Sequence, residues 1–176
     1  MSENYFDLLG MTESFDIDLQ QLKSNNLRLQ KTLHPDGNLH QTTAQQMTAA
    51  NKLAEVNQAF RTLNSGYDRG EYMLRLLGVN KADEAQTIKN PELLMEQMEL
   101  REELSEIRQL DDPEQSLELF SDGVKQLINQ QHSQVSKLFD ASQVELTIIS
   151  EALVKLRFQE KLQQEIIRFE EQLDDY

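Results

Sequence analysis

The groups in this sequence that could carry acid–base or metal chemistry are three histidines, His34, His40 and His132, and a surplus of carboxylates. His34-Pro35-Asp36 is the most concentrated grouping. Proline fixes its own backbone angle, so a donor and an acceptor on either side of it are presented in a restrained geometry suited to docking. A plain helix-stop loop would read the same way. As a metal site, His34, Asp36 and His40 offer one carboxylate and a second histidine six positions from the first, a nonspecific pattern. His132 follows Asn129-Gln130-Gln131 and reads as a surface residue. Glu102 and Glu106, one helical turn apart, would be half of a carboxylate metal site, but no Glu-x-x-His accompanies them. Cysteine is absent, which removes thiolate ligands, disulfides and cysteine nucleophiles and fits a reducing compartment. There is no Gly-rich phosphate loop and no Gly-x-Ser-x-Gly elbow. These motifs support no enzyme, and neither a metal nor a cofactor is expected.

The elements that must position these residues read as all-α. Six glycines and three prolines in 176 residues, with Leu, Gln, Glu and Lys abundant, leave no segment that reads as a strand. A short helix is predicted over Tyr5 to Leu9, ended by Gly10. A second runs from the N-cap Asp18 to Leu33, with Leu19, Leu22, Leu29 and Leu33 on one face, and Pro35 stops it. A third fits Thr43 to Leu63, with Met47, Ala50, Leu53, Ala54, Val56 and Phe60 as its apolar positions and Gly66 after its end. A fourth covers Arg69 to Leu77 and is closed by Gly78. Residues 79–90 have no amphipathic pattern. They separate an N-terminal domain, 1–78, from a C-terminal one, 91–176. In the latter, helices over Pro91 to Leu110, Pro113 to Asp140 and Ser142 to Leu173 predict an antiparallel three-helix bundle, with Asn90 and Asp112 capping the first two.

Charge narrows the function class. The net charge is −14, and residues 76–176 hold ten Lys/Arg against twenty-two Asp/Glu. Such a surface repels phosphate backbones and anionic lipids, so nucleic acid and membrane are not expected partners, whereas a basic protein surface is. The N-terminus has neither the apolar run of a signal peptide nor the arginines of a transit peptide, and a cytoplasmic protein is expected.

Two helix faces depart from what solubility requires. Between Leu19 and Leu33 the chain has three cations, Lys23, Arg28 and Lys31, and no anion. Arg28 and Lys31 fall away from the leucine stripe. In the first bundle helix, Leu93, Gln97, Leu100, Leu104 and Ile107 form the seam. Leu94, Met95 and Met98 project away from it, continued by Glu99, Glu102 and Glu106. An exposed apolar patch beside carboxylates suits an apolar, basic partner surface. Such a face also arises where a small bundle covers a wide apolar stripe, where glutamates are simply solvated, or where Tyr72 and Leu76 of the fourth helix pack on the bundle.

Residues 3 to 77 resemble the J domain of DnaJ-type co-chaperones. The resemblance rests on Tyr5-Phe6-Asp7-Leu8-Leu9-Gly10, the cationic second helix, His34-Pro35-Asp36 and Val56-Asn57-Gln58-Ala59-Phe60-Arg61-Thr62-Leu63. It implies that His34, Pro35 and Asp36 stimulate ATP hydrolysis by a DnaK-type chaperone, with Lys23, Arg28 and Lys31 as docking contacts. Gly37 stands where such domains usually carry Lys or Arg, and Leu33 where Tyr is frequent, which puts the strength of that docking in question.

The segment Leu93-Leu94-Met95-Glu96-Gln97-Met98-Glu99-Leu100-Arg101-Glu102-Glu103-Leu104, with Lys155-Leu156-Arg157-Phe158, resembles the C-terminal domain of the HscB family, J-type co-chaperones of iron–sulfur cluster assembly. That resemblance implies that Leu94, Met95, Met98, Glu99, Glu102, Glu106 and Phe158 bind an IscU-like scaffold and that the J domain engages an HscA-like ATPase. Phe158 lies off the Ile149/Leu153/Leu156 stripe, which fits either exposure or core packing. The other readings are a J protein with a different client, or a helical scaffold protein that is no chaperone. His34→Gln is expected to abolish stimulation of the chaperone's ATPase with helical content by circular dichroism unchanged; retained stimulation would count against the loop's role.

Overall fold

A computed structural model describes residues 4–33, 42–79, 91–143 and 145–174. His34, Pro35, Asp36, Gly37, His40, Asn90 and almost all of the expected linker lie outside them. The described residues form seven helices and no strand: α1 (Tyr5–Leu9), α2 (Leu19–Leu33), α3 (Thr43–Asn64), α4 (Gly66–Leu76), α5 (Pro91–Ile107), α6 (Glu114–Phe139) and α7 (Leu146–Asp174). By compactness the chain divides into two units, residues 1–72 and 73–176.

In the first unit the helix ends follow from capping chemistry. Asn4 accepts the backbone N–H of Asp7 at the start of α1. Gly10 ends that helix at φ 64, a left-handed conformation that a side chain disfavours. The Asn25 side chain donates to the Leu9 carbonyl at 2.9 Å, tying this turn to α2. Asp18 caps α2, its Oδ1 accepting from the N–H groups of Gln20 and Gln21. Thr42 and Gln45 form a reciprocal capping box at the start of α3.

Gly66 follows the end of α3, as the sequence suggested, and is also the first residue of α4, which starts three residues before the expected Arg69. Ser65, extended at φ −86 and ψ 131, ends α3, and its hydroxyl accepts the Asp68 N–H that opens α4. Serine at this junction satisfies an orphan N–H in the first turn of α4. Gly78, at φ 86, follows α4 as expected.

α2 and α3 form an antiparallel hairpin whose core is Leu22, Val56, Ala59 and Leu63, with Phe6, Leu9 and Phe15, all at most 1% exposed. The Gln30 side chain donates to Asn57 at 2.8 Å, so α2 ends abreast of the middle of α3. Met47 and Ala50, expected as core positions, lie ahead of that overlap and are exposed, Met47 by 64%. Ala54 is exposed as well. Leu19, in the first turn of α2, is 41% exposed, and the buried stripe it was expected to head includes Asn26.

α4 is fastened to this core through Tyr72 and Arg69. Tyr72 stacks on Tyr5 with centroids 4.5 Å apart, its hydroxyl accepting the Tyr5 N–H at 2.9 Å. The Arg69 guanidinium lies 5.0 Å from the Phe15 ring and donates to the Leu63 carbonyl.

The second unit is the three-helix bundle α5–α6–α7. One core cluster runs through Leu104, Ile107, Leu117, Phe120, Val124, Phe158, Leu162, Ile166 and Phe169. Val135, Ile149, Leu153 and Leu156 continue the buried interior, and the Gln131 amide donates to the Ala152 carbonyl at 3.0 Å. Pro113 itself is the N-cap of α6, with no side-chain cap, so Asp112 does not fill the role expected of it.

Gly10→Ala is expected to destabilise the N-terminal unit by about 1–2 kcal/mol, because the left-handed backbone persists while a Cβ is added. Urea unfolding followed by circular dichroism measures this.

Candidate functional site

The cations of α2 stand on a face built by helical period alone. Leu22, Asn26, Leu29 and Leu33 turn inward or are half-buried, and this sends Lys23, Arg28 and Lys31 to solvent, where all three are exposed. Asn25, whose amide holds the α1 turn, accepts a long hydrogen bond from Arg28 at 3.5 Å. Leu27 lies among these cations and is 52% exposed. It lines a shallow concavity with Ser24, Arg28, Lys31 and Thr32. Sequence reasoning missed Leu27, although its position off the Leu22/Leu29 stripe was a usable signal. His34, Pro35 and Asp36, which continue the chain directly from α2, are outside the described residues.

In α5 the seam is as narrow as its period predicts. Leu93, Leu104 and Ile107 are buried, and Gln97 and Leu100 half-buried. Leu94, Met95 and Met98 are 45%, 61% and 63% exposed, and Glu99, Glu102 and Glu106 are exposed beside them. Three large apolar side chains on one exposed face, flanked by carboxylates, form the patch expected of a binding surface for an apolar and basic partner.

Of the two readings open for Phe158, exposure is not found. Its ring is 7% exposed inside the core cluster with Leu104 and Ile107, and the Arg101 guanidinium lies 5.5 Å from its centroid. The reason is period: four residues before the fully packed Leu162, it falls on the same inward face of α7. Lys155 ties α7 to Glu96 of α5 at 2.7 Å, and the exposed Arg101 lies 4.0 Å from Glu165. On α6, a hydrogen bond from Lys125 to Asp122, helped by the charges of Asp122, Glu170 and Glu118, raises the lysine's pKa above its usual value.

Among the described residues no group of three or more His, Asp or Glu side chains is placed to hold a metal ion. None of the described helices is long and apolar enough to cross a membrane.

Residues 89–167 match the family described as the HSCB C-terminal oligomerisation domain. The chain is 37% identical over 172 residues to the co-chaperone protein HscB of Proteus mirabilis, covering 98% of each. It is 36% identical to an HscB homolog of Vibrio cholerae, over 97% of this chain and 98% of that one. The solved chaperone HscB from Vibrio cholerae superposes with a TM-score of 0.82 at 34% identity, covering 97% of this chain and 99% of that one. Human co-chaperone HscB, at 24% identity, shares the fold with a TM-score of 0.81 over 96% of this chain and 83% of its own.

Phe158→Ala is expected to cost about 3–5 kcal/mol of stability through the cavity it leaves. Leu94→Ala and Met98→Ala are expected to stay within about 0.5 kcal/mol of the parent protein, as exposed positions do. Thermal unfolding of the three variants checks the contrast.

Proposed function

This chain belongs to the HscB family of co-chaperones, and we propose that it works in iron–sulfur cluster assembly as a dual adaptor. The bundle holds an IscU-like scaffold, and the J domain, residues 1–78, engages an HscA-like ATPase. Hydrolysis then locks the scaffold onto the chaperone. The chain itself supplies contacts, not bond-breaking chemistry, and acts in the cytoplasm.

The observation that carries this reading is the pairing of two unlike faces on separate compact units. One is cationic around Lys23, Arg28 and Lys31; the other is apolar and acidic around Leu94, Met95 and Met98. Opposite charge on the two faces gives each a different class of partner and discourages exchange between them. On α2, the cations and Leu27 bring the ATPase to His34, Pro35 and Asp36, which act on its hydrolysis. On α5, Leu94, Met95 and Met98 supply the apolar contact, and Glu99, Glu102 and Glu106 select a basic surface. Phe158 acts from behind, as the core residue on which α5 rests. A J protein with a different client would use the same two faces, and only the scaffold experiment separates it.

The test is single-turnover ATP hydrolysis by an HscA-type chaperone with this protein, with the scaffold, and with both. Stimulation is expected to be greatest with both. Stimulation indifferent to the scaffold would reassign the client, and none in any mixture would overturn the co-chaperone mechanism. Leu94→Ala combined with Met95→Ala is expected to weaken scaffold binding by about tenfold or more with the fold retained, as loss of a central apolar contact does. Isothermal titration calorimetry measures it.

A further inference from the structure

The bundle carries a concavity beside the face just assigned. Between α5 and α6 lies an open groove of about 680 Å³. Its floor is apolar, formed by Ile107, Phe120 and Val124, while Glu103 and Glu106 stand exposed on its α5 wall. On the α6 side, among Ser116, Leu119 and Leu127, the wall drops at Gly123. A Cβ built there would meet no heavy atom within 4 Å, and its backbone is not left-handed. Glycine in a helix interior costs stability relative to alanine, and here neither backbone conformation nor packing within the described chain accounts for it. One turn earlier Leu119 is 70% exposed, at the lip of the groove.

We infer that this groove takes an apolar side chain flanked by lysine or arginine, carried by the same scaffold protein that the Leu94/Met95/Met98 face holds; the inference rests on that reading. Three features select this occupant. First, Glu106 belongs both to the acidic stripe and to the groove wall, so a partner lying along α5 reaches the groove without a break. Second, among the described residues neither Glu103 nor Glu106 forms an ion pair, so both carboxylates are available to cations. Third, the bare flank at Gly123 admits close approach by an incoming chain. A second copy of this protein would set one acidic rim against another, between chains of net charge −14.

The experiment measures binding of the full chain to a cluster-free IscU-type scaffold by calorimetry, with sedimentation velocity of the chain alone. Gly123→Leu fills the groove without touching Leu94, Met95 or Met98. It is expected to keep helical content and thermal midpoint and to weaken scaffold binding about tenfold, the loss of one buried apolar contact. Glu103→Lys should weaken binding as well and flatten its salt dependence. If both variants bind like the parent while Leu94→Ala weakens binding, the groove assignment is overturned and the face stands. Weakening by the groove variants alone upholds the groove and overturns the face. A parent protein that does not bind the scaffold overturns both, and Gly123→Leu altering self-association but not scaffold affinity gives the groove to a second copy and overturns the inference.

Discussion

The C-terminal unit depends on how little of α5 is needed to hold it. Leu93, Leu104 and Ile107 are buried, Leu100 is partly so, and Glu96 is tied to Lys155 of α7. A seam that narrow uses one stripe of a helix and leaves the remaining circumference unconstrained by packing. Leu94, Met95 and Met98 are therefore free of the core, and their apolar character has to be explained by something outside it. Phe158 and Phe169 make the economy possible. They present large rings to α5 that Arg101 and Arg108 cover at 5.5 and 4.8 Å, so the seam is capped at its margin by cations rather than widened by more leucine.

The N-terminal unit solves a different problem. It has few residues from which to make a core, so it uses side chains that bury area and bond at once: Tyr72 on Tyr5, Arg69 on Phe15 and Leu63, Asn25 on Leu9. Because α4, α1 and the turn after it are fastened this way, α2 can spend its outward face on Lys23, Leu27, Arg28 and Lys31. The folding requirement and the proposed binding role fall on opposite sides of one helix.

Much of this was legible in the sequence because both faces are consequences of period. Helix number follows from apolar period, the end of α1 from Gly10, the starts of α2 and α5 from Asp18 and Pro91, and the exposure of Leu94, Met95 and Met98 from their angle to the seam. What failed depended on neighbours that period does not describe. Met47 and Ala50 have helical spacing but no described helix alongside, because α2 ends abreast of the middle of α3. The fourth helix was expected to open at Arg69, but the Ser65 hydroxyl accepts the Asp68 N–H and the helix starts three residues earlier, at Gly66. Phe158 was ambiguous from the Ile149/Leu153/Leu156 stripe alone. Over a long helix the buried face drifts, and Leu162 and Ile166 bring that ring inward.

The junction at Ser65 has a consequence for how this chain can vary over evolution. One residue joins two helices, and an added residue carried into α4 would turn that helix by about 100°. Arg69 and Tyr72 would then swing away from Phe15 and Tyr5 together, so a single insertion would undo both fastenings. Insertions and deletions among related chains should therefore be purged at this position and accumulate in the connections elsewhere, which makes Ser65 a fixed point of length in an otherwise adjustable sequence.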